Sequence, residues 1–330
     1  MSQANSGVSS SDNAFFSGKK TWVTGHRGML GSAVVRRLEN SGAQLLLTSR
    51  NDLDLCDQRA VSDWVERNRP ELVFHVGAKV GGIHANATLP ADFLYDNVMI
   101  QSNVINAAHQ FGVQKLMFVA SNCTYPTKAP QPIQESSLMT GALDENIRAY
   151  AISKIAGIEM CRAFRKQHGA NFISIIPPNL YGPGDNYHPE HSHVVAGILR
   201  RTHEAKMAGK DEFVVWGDGT PRREILHVDD LADAMACLMA APTTHDLYNI
   251  GSGSDLSIAE LASLIAEAVG FDGKIVYDTS KPNGTMAKLL DSSRIRALGW
   301  TPKVDPREGM RSAYRDFRRL LDFPGASGRL

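Results

Sequence analysis

The first half of the chain alternates short apolar runs with longer segments in which apolar residues recur every three to four positions. The apolar runs predict strands buried on both faces, at residues 20–24, 44–50, 71–78, 115–120 and 171–176. The segments between them predict helices, the longest at about 92–111 and 150–168. This alternation is typical of a Rossmann-type α/β fold, in which a doubly wound parallel sheet carries helices on both faces.

The pattern changes after residue 180. A polar loop at 185–193 precedes a helical segment, a strand and a turn, and an apolar run at 246–250 then returns to the earlier pattern. We therefore expect two units whose segments alternate along the chain. These are a Rossmann domain at 18–180 with return segments near 225–252, and a smaller C-terminal α/β substrate-binding lobe at 181–224 and 253–330.

The first 17 residues are rich in Ser, Asn and Gly and show no period. Such a composition is typical of a chain end that does not join a core. We expect residues 1–17 to form a disordered leader that the fold does not need.

Composition and charge limit the classes of partner. The formal net charge is +0 and the isoelectric point is about 7.2, which favours neither nucleic acid nor a membrane surface as partner. No apolar run reaches the roughly 18 residues of a membrane span, and the N-terminus lacks a signal-peptide pattern. The scattered cysteines lack CxxC spacing and are expected to be reduced. We expect a cytoplasmic protein that binds small molecules.

A glycine-rich turn follows the first predicted strand and opens a helix. Gly25, Gly28 and Gly31 have the spacing GxxGxxG. In this context the first glycine permits a tight turn, the second a close approach to a pyrophosphate, and the third close helix packing. A structural turn would also use glycine, but the strand and helix around it favour dinucleotide binding.

The end of the second strand bears on the choice of dinucleotide. NAD-binding proteins usually carry an acid at this point, whereas this chain has Ser49 and Arg50. Arg50 and Arg27 can grip a 2′-phosphate, so we expect NADP. Asp54 and Leu55 follow in a loop suited to border the adenine.

Tyr150 and Lys154 stand four residues apart at the start of a helical pattern and therefore share one helix face. A phenol with a pKa of roughly 10 donates reluctantly at neutral pH, and a nearby ammonium lowers that pKa. The pair predicts a proton donor for a reduction, although long helices also contain such pairs by chance.

Ser121 and Cys123 follow the fourth predicted strand, where both side chains reach the same crevice. Ser121 can hydrogen-bond a substrate oxygen beside Tyr150. Cys123 can act as an acid or base if its pKa is lowered, although a lone cysteine is by default a small buried apolar residue.

The second half adds groups suited to bind a base and a diphosphate. The 185–193 loop holds three histidines, for which zinc binding is an alternative that no framing cysteine or carboxylate set supports, so we expect no metal. His193 begins a helix and can face the crevice. Trp216 can border a base, and Arg201 and Arg223 can neutralise a diphosphate.

A series of motifs, in this order, resembles the GDP-L-fucose synthase family of extended short-chain dehydrogenase/reductases: GHRGMLGSA, AKVGGI, YAISKIAGIE, NLYGPGDNYHP, SHV, VVWGDGTPRRE and LHVDD. The resemblance covers roughly residues 19 to 310. The sequence departs from the family pattern at Asn122, Pro178, Asn283 and the pair Met286 and Ala287.

The resemblance implies a bifunctional enzyme, a 3,5-epimerase and NADPH-dependent 4-reductase that converts GDP-4-keto-6-deoxy-D-mannose to GDP-L-fucose as a homodimer. It implies that Ser121, Tyr150 and Lys154 carry the reduction and that Cys123 and His193 carry the epimerisation. Implied sugar-nucleotide contacts are Arg201, Trp216, Arg223 and Asn283. Implied cofactor contacts are Gly25, Arg27, Gly28, Met29, Leu30, Gly31, Arg50, Asp54, Leu55, Ala120, Ser121, Lys154, Pro177, Asn179, Leu180 and His193.

Three alternatives differ in what they require. A simple 4-reductase does not need Cys123 with His193. A GDP-L-colitose synthase shares the whole set and accepts a substrate without the 3-hydroxyl. A non-catalytic NADP-sensing protein has no need of the set formed by Ser121, Tyr150 and Lys154.

Overall fold

The computed structural model describes residues 10–189, 191–280, 283, 286–322 and 330. Its strands are β1 Lys20–Thr24, β2 Gln44–Leu47, β3 Leu72–His75, β4 Lys115–Val119, β5 Phe172–Ile176, β6 Asn179–Tyr181, β7 Glu212–Trp216, β8 Arg222–His227, β9 Leu247–Asn249, β10 Asp255–Ser257 and β11 Lys274–Asp278. Its helices are α1 Ser10–Phe16, α2 Met29–Leu38, α3 Gln58–Asn68, α4 Ile83–Thr88, α5 Pro90–Gln110, α6 Arg148–His168, α7 Val194–Met207, α8 Val228–Ala240, α9 Ile258–Val269, α10 Ser293–Arg296 and α11 Pro306–Asp322.

A six-stranded parallel sheet forms the centre of the larger domain. Its order is β2-β1-β3-β4-β5-β9, and one core cluster lies on each of its faces. The buried strands β3, β4 and β5 have no exposed position, as their continuous apolar runs predict. The Rossmann-type α/β prediction is confirmed. The order changes direction at β1 and β3, which places a ligand crevice beyond their carboxyl ends.

The smaller lobe has its own core. It contains a three-stranded sheet β10-β8-β6 and a two-stranded sheet β11-β7, packed with α7, α9 and α11. A capping box opens α9, because the Ser257 hydroxyl accepts from the Glu260 amide and the Glu260 carboxylate accepts from the Ser257 amide. Ile295 and Trp300 instead pack into the core of the larger domain. The segment around them therefore contributes to that domain, although it falls within 253–330.

The N-terminal residues differ from the expected disordered leader. Residues 1–9 lie outside the described part of the chain, but Ser10–Phe16 forms a helix that contacts α8. The Phe16 ring is 0% exposed, and its centroid lies 6.2 Å from that of Phe74 in β3. The expectation is therefore wrong for residues 10–16, which contribute an aromatic ring to the core.

We expect Phe16→Ala to lower the free energy of unfolding by about 3–5 kcal/mol, because the truncation leaves a cavity in a closely packed core. Urea unfolding followed by circular dichroism measures this change. Phe15→Ala is the matched control, since Phe15 is only partly buried and should cost less. Equal losses for the two variants would show that α1 does not pack as described.

Candidate active site

The glycine turn is built for close backbone contacts. Gly25 has φ +67°, and a Cβ placed on it would lie 2.8 Å from the Cα of Gly77. A Cβ on Gly31 would overlap the backbone of Gly25 and His26. No side chain among the described residues caps α2, whose N-cap is Gly28. The first amides of α2 are therefore available to an anion.

A cavity of about 350 Å³ lies beside this turn, at the carboxyl ends of β1, β2 and β3. Six of the predicted cofactor residues line it: Gly25, Arg27, Gly28, Arg50, Asp54 and Leu55. Met29 and Leu30 instead start α2 and pack toward the core, where Gly31 fits against the turn. Four further predicted contacts lie outside this cavity, namely Ala120 after β4, Pro177 after β5, and Asn179 and Leu180 in β6. The last three, Ser121, Lys154 and His193, are described below.

The sequence analysis missed a carboxylate near the expected 2′-phosphate position. Asp52 turns back toward the end of β2, where its Oδ2 accepts hydrogen bonds from the Ser49 amide at 2.9 Å and the Ser49 hydroxyl at 2.5 Å. These bonds, and the charge of Arg27, hold the pKa of Asp52 below its usual value. The strand end therefore carries a carboxylate as well as the two arginines. That carboxylate is already hydrogen-bonded by the Ser49 amide and hydroxyl.

Tyr150 and Lys154 both project from the first turns of α6, which packs along α5. Gln101 of α5 donates to the Ser153 carbonyl at 2.5 Å, and Gly157 lets α6 approach the Phe118 ring, where a Cβ would overlap it. The Phe93 ring meets the Tyr150 ring edge-on at 6.2 Å between centroids. These contacts fix the helix face that carries the pair.

Lys154 lies beside the Tyr150 ring in a buried position. Lys154 Nζ donates to the Val119 carbonyl at 3.0 Å and lies 5.9 Å from the centroid of the Tyr150 ring. Burial lowers the pKa of Lys154 to about 8. The pKa of Tyr150 is raised, first by burial and then by the charge of the nearby Cys123. Tyr150 therefore stays protonated at neutral pH and holds a proton to donate.

Ser121 and Cys123 lie on the 3-10 turn that follows β4. The Ser121 hydroxyl accepts from the Cys123 amide at 3.5 Å, and the Cys123 side chain is only 5% exposed. Burial raises the pKa of the Cys123 thiol, while a hydrogen bond with Ser121 and the positive charges of Lys288 and Lys154 act to lower it. The charge of Cys123 raises the pKa of Tyr150, and the 3-10 turn that carries Cys123 packs against α6, so the two groups lie close together.

His193 enters from the other lobe as the N-cap residue of α7, as its position before a helical segment predicts. The residue keeps an exposed surface, and desolvation of its ring by the surrounding protein lowers its pKa. The loop after β3 supports it, since the Gly82 amide donates to the His191 carbonyl at 3.2 Å. His193 makes no hydrogen bond, ring contact or ion pair with the described Ser121, Cys123, Tyr150 or Lys154. Within the described residues, no three metal-ligating side chains converge.

The predicted sugar-nucleotide contacts gather on the smaller lobe. The Arg201 guanidinium lies 5.4 Å from the centre of the Trp216 ring, which is 61% exposed and offers an open aromatic surface. Arg223 is partly buried on β8. Asn283 already has a structural task, because its Oδ1 accepts from the Asp218 amide at 3.1 Å and so holds the turn after Trp216.

Lys288 is a site residue that the sequence analysis did not single out. It is largely buried. The charge of Lys288 lowers the pKa of Cys123, and the nearby Arg223 lowers the pKa of Lys288. The only signal in the sequence was a lysine between apolar residues in AKLL. That pattern does not reveal a neighbour as remote in sequence as Cys123.

The chain matches the NAD dependent epimerase/dehydratase family over residues 21–251. It is 52% identical over 296 residues to GDP-L-fucose synthase 1 of Arabidopsis thaliana, an alignment that covers 89% of this chain and 92% of the relative. It is 47% identical over 316 residues to the GDP-L-fucose synthase of Escherichia coli K12, covering 92% and 98% of the two chains.

Among solved structures, the fold is similar to a GDP-L-fucose synthetase from Naegleria fowleri bound to NADP. The two share 29% identity with a TM-score of 0.85, over 93% of this chain and 94% of that one. The glycine turn, the Ser121, Tyr150 and Lys154 set, and these matches agree. The protein belongs to the NAD dependent epimerase/dehydratase family.

Proposed function

We propose that the protein is a bifunctional 3,5-epimerase and 4-reductase that converts GDP-4-keto-6-deoxy-D-mannose to GDP-L-fucose with NADPH. The observation that carries this proposal is the buried thiol of Cys123 in the same pocket as Ser121 and Tyr150. A simple reductase needs only the hydroxyl groups and the lysine. The names of the relatives, at 52% and 47% identity, point to the same reaction.

The residues present fit a dinucleotide phosphate. The glycine turn leaves a cradle that side chains would fill, the first amides of α2 face it, and Arg27 and Arg50 line the adjoining cavity. NADPH bound there supplies a hydride for C4 of the sugar. Lys154 is suited to hold its ribose, since an ammonium offers three donors and one of them binds the Val119 carbonyl.

Epimerisation precedes reduction, because the 4-keto group makes the protons on C3 and C5 acidic. In the proposed mechanism Cys123 Sγ takes each proton, the C–H bond electrons move into an enolate, and His193 returns a proton to the opposite face. Cys123 releases the proton to solvent before it takes the next one. The two residues come from different lobes, as protonation on opposite faces requires. His193 must be charged to donate, so it takes up a proton from solvent before each step.

Reduction uses the groups on α6. Tyr150 donates its phenolic proton to the oxygen on C4, and the Ser121 hydroxyl hydrogen-bonds that oxygen as charge develops on it. The raised pKa of Tyr150 keeps the phenol protonated until the oxygen becomes strongly basic. The charge of Lys154 then stabilises the phenolate that remains.

The nucleotide part of the substrate is assigned to the smaller lobe. Arg201 and Arg223 neutralise the diphosphate, and the open face of Trp216 borders the base. Asn283 contributes by holding the turn beside Trp216, since its Oδ1 accepts from the Asp218 amide.

A homodimer is the proposed assembly. The helices α5 and α6 pack against each other and leave Tyr95 and Ile152 exposed on the outside. Sedimentation at micromolar concentration should give twice the mass of one chain.

A cytoplasmic location is proposed from the four free cysteines. No helix in the described part of the chain is long and apolar enough to cross a membrane.

The preference for NADPH should depend on the two arginines of the cofactor cavity. Arg27→Ala and Arg50→Ala should each raise the KM for NADPH about 10- to 100-fold, because each removes a charge-assisted contact to the 2′-phosphate. The KM for NADH should change little. Asp52→Asn is the control in the opposite direction, since it removes a negative charge near Arg27. Equal effects on NADPH and NADH would contradict the assignment.

The proposed reaction is tested by the configuration of the product. The protein is incubated with GDP-4-keto-6-deoxy-D-mannose and NADPH, and the sugar is identified by NMR. A fuco product supports the proposal, and a product with C3 and C5 unchanged would identify a simple 4-reductase. Faster turnover of the 3-deoxy substrate would favour a colitose synthase. Tight NADPH binding without turnover would favour a sensing protein.

A further inference from the structure

Lys288 is a buried cation that has no counter-ion among the residues described. Lys288 is only 9% exposed, whereas lysine residues are almost always at the surface. It forms no hydrogen bond or ion pair with any part of the chain that the structure describes. Burial lowers the pKa of its ammonium, which shows that the fold opposes the charge. A cation held in this way is typical of a site that stabilises an anion.

The backbone around Lys288 is held on both sides. The Leu289 carbonyl accepts from the Ile133 amide at 2.7 Å, and the Leu289 amide donates to Gln131 at 2.6 Å. The Leu290 amide donates to the buried carboxylate of Glu224 at 2.9 Å. These bonds hold the backbone next to Lys288 in place, and they therefore restrict the direction in which its side chain points.

The charged groups near Lys288 identify the anion. They are the Cys123 thiol, the Asp144 carboxylate and the Arg223 guanidinium, and Cys123 interacts most strongly. Asp144 is partly exposed and makes no ion pair with Lys288. The side chains that lower the pKa of Cys123 are Ser121, Lys288 and Lys154. Of the two lysines, Lys154 already donates to a carbonyl, whereas Lys288 has no such partner among the described residues.

We propose that Lys288 is a positioning residue for epimerisation, whose ammonium stabilises the Cys123 sulfur as a thiolate. In the resting enzyme the thiol proton leaves to solvent and the pair is S⁻ with NH₃⁺. The thiolate then takes the proton from C3 or C5, so an S–H bond forms as the C–H bond breaks and the electron pair passes to the enolate. The substrate step rests on the proposed function, whereas the thiolate is a property of the free enzyme.

The test is an ultraviolet titration of the Cys123 thiolate in the full-length protein. A thiolate absorbs where a thiol does not, and subtracting the Cys123→Ser protein removes the signal of all other groups. The difference is measured across pH for the wild type, Lys288→Met, Lys288→Gln and Lys288→Arg. Lys274→Met, at an exposed lysine of β11, is the matched control, and near-ultraviolet circular dichroism checks the fold.

We expect the midpoint of Cys123 to rise by about one pH unit in Lys288→Met and Lys288→Gln, because an opposite charge nearby lowers a thiol pKa by that order. Lys288→Arg should restore it, and Lys274→Met should not move it. Proton exchange at C3 and C5 should fall about tenfold at neutral pH in Lys288→Met and recover at higher pH.

Two results would overturn the proposal. One is a midpoint that stays unchanged in both neutral variants while they remain folded. The other is an unchanged midpoint with a raised KM for the GDP-sugar, which would assign Lys288 to the diphosphate beside Arg223. The titration needs no substrate, so a shifted midpoint in a protein that fails to epimerise would reject the proposed function and keep the thiolate pair.

Discussion

Tyr150→Phe should abolish reduction while epimerisation continues. The variant loses only the phenolic oxygen, so the ring still packs against Phe93 and the pocket keeps its shape. Without the proton donor, NADPH oxidation should fall by roughly 10²- to 10⁴-fold, the usual contribution of a positioned general acid. Deuterium from solvent should still enter C3 and C5, because Cys123 and His193 are untouched.

The measurement combines NADPH absorbance with NMR of the sugar in deuterium oxide. Tyr277→Phe is the matched control, since it removes the same hydroxyl from an exposed ring on β11 and should leave both rates unchanged. A Tyr150→Phe protein that oxidises NADPH at the wild-type rate would exclude Tyr150 as the acid. Loss of both exchange and oxidation would indicate that the phenol is needed for epimerisation as well.

Cys123→Ser should have the converse effect and stop epimerisation. A serine hydroxyl occupies nearly the same volume, but it does not form an anion near neutral pH and is a far weaker base than a thiolate. Exchange at C3 and C5 should fall by roughly 10²- to 10⁴-fold. Reduction of an already epimerised 4-keto sugar should continue, because Ser121, Tyr150 and Lys154 remain.

Exchange is followed by NMR in deuterium oxide without NADPH, so that reduction does not remove the substrate. Cys237→Ser on α8 is the matched control, because it makes the same exchange of sulfur for oxygen outside the pocket. Wild-type exchange in Cys123→Ser would show that another group is the base. His193→Gln should then be measured, since a pair on opposite faces predicts loss of inversion in that variant too.

The large parallel sheet could be predicted from sequence because its strands are buried on both faces. Runs such as 71–78 and 171–176 are apolar without interruption, and only a central parallel strand requires that. Strands of three residues, such as β10 Asp255–Ser257, carry too little pattern to be recognised. Helix α1 was missed because its contribution to the core is the single buried ring of Phe16, at the end of a polar segment.

The chemistry of the site was only partly accessible from sequence. Tyr150, Lys154, Ser121 and Cys123 follow strand and helix ends, where local pattern gives their direction. The raised pKa of Tyr150 and the position of Lys288 depend on burial and on neighbours far along the chain. The carboxylate of Asp52 was missed because a hydrogen-bonded turn with Ser49 brings it back to the strand end.

One pocket is expected to perform both proton exchange and reduction. The most direct measurement incubates the wild-type protein with GDP-4-keto-6-deoxy-D-mannose and NADPH in deuterium oxide and locates the deuterium in the product by NMR. We expect NADPH oxidation, deuterium at both C3 and C5 of the product, and a fuco configuration of the sugar. NADPH oxidation with no deuterium at either carbon would contradict it and reduce Cys123 and His193 to structural residues.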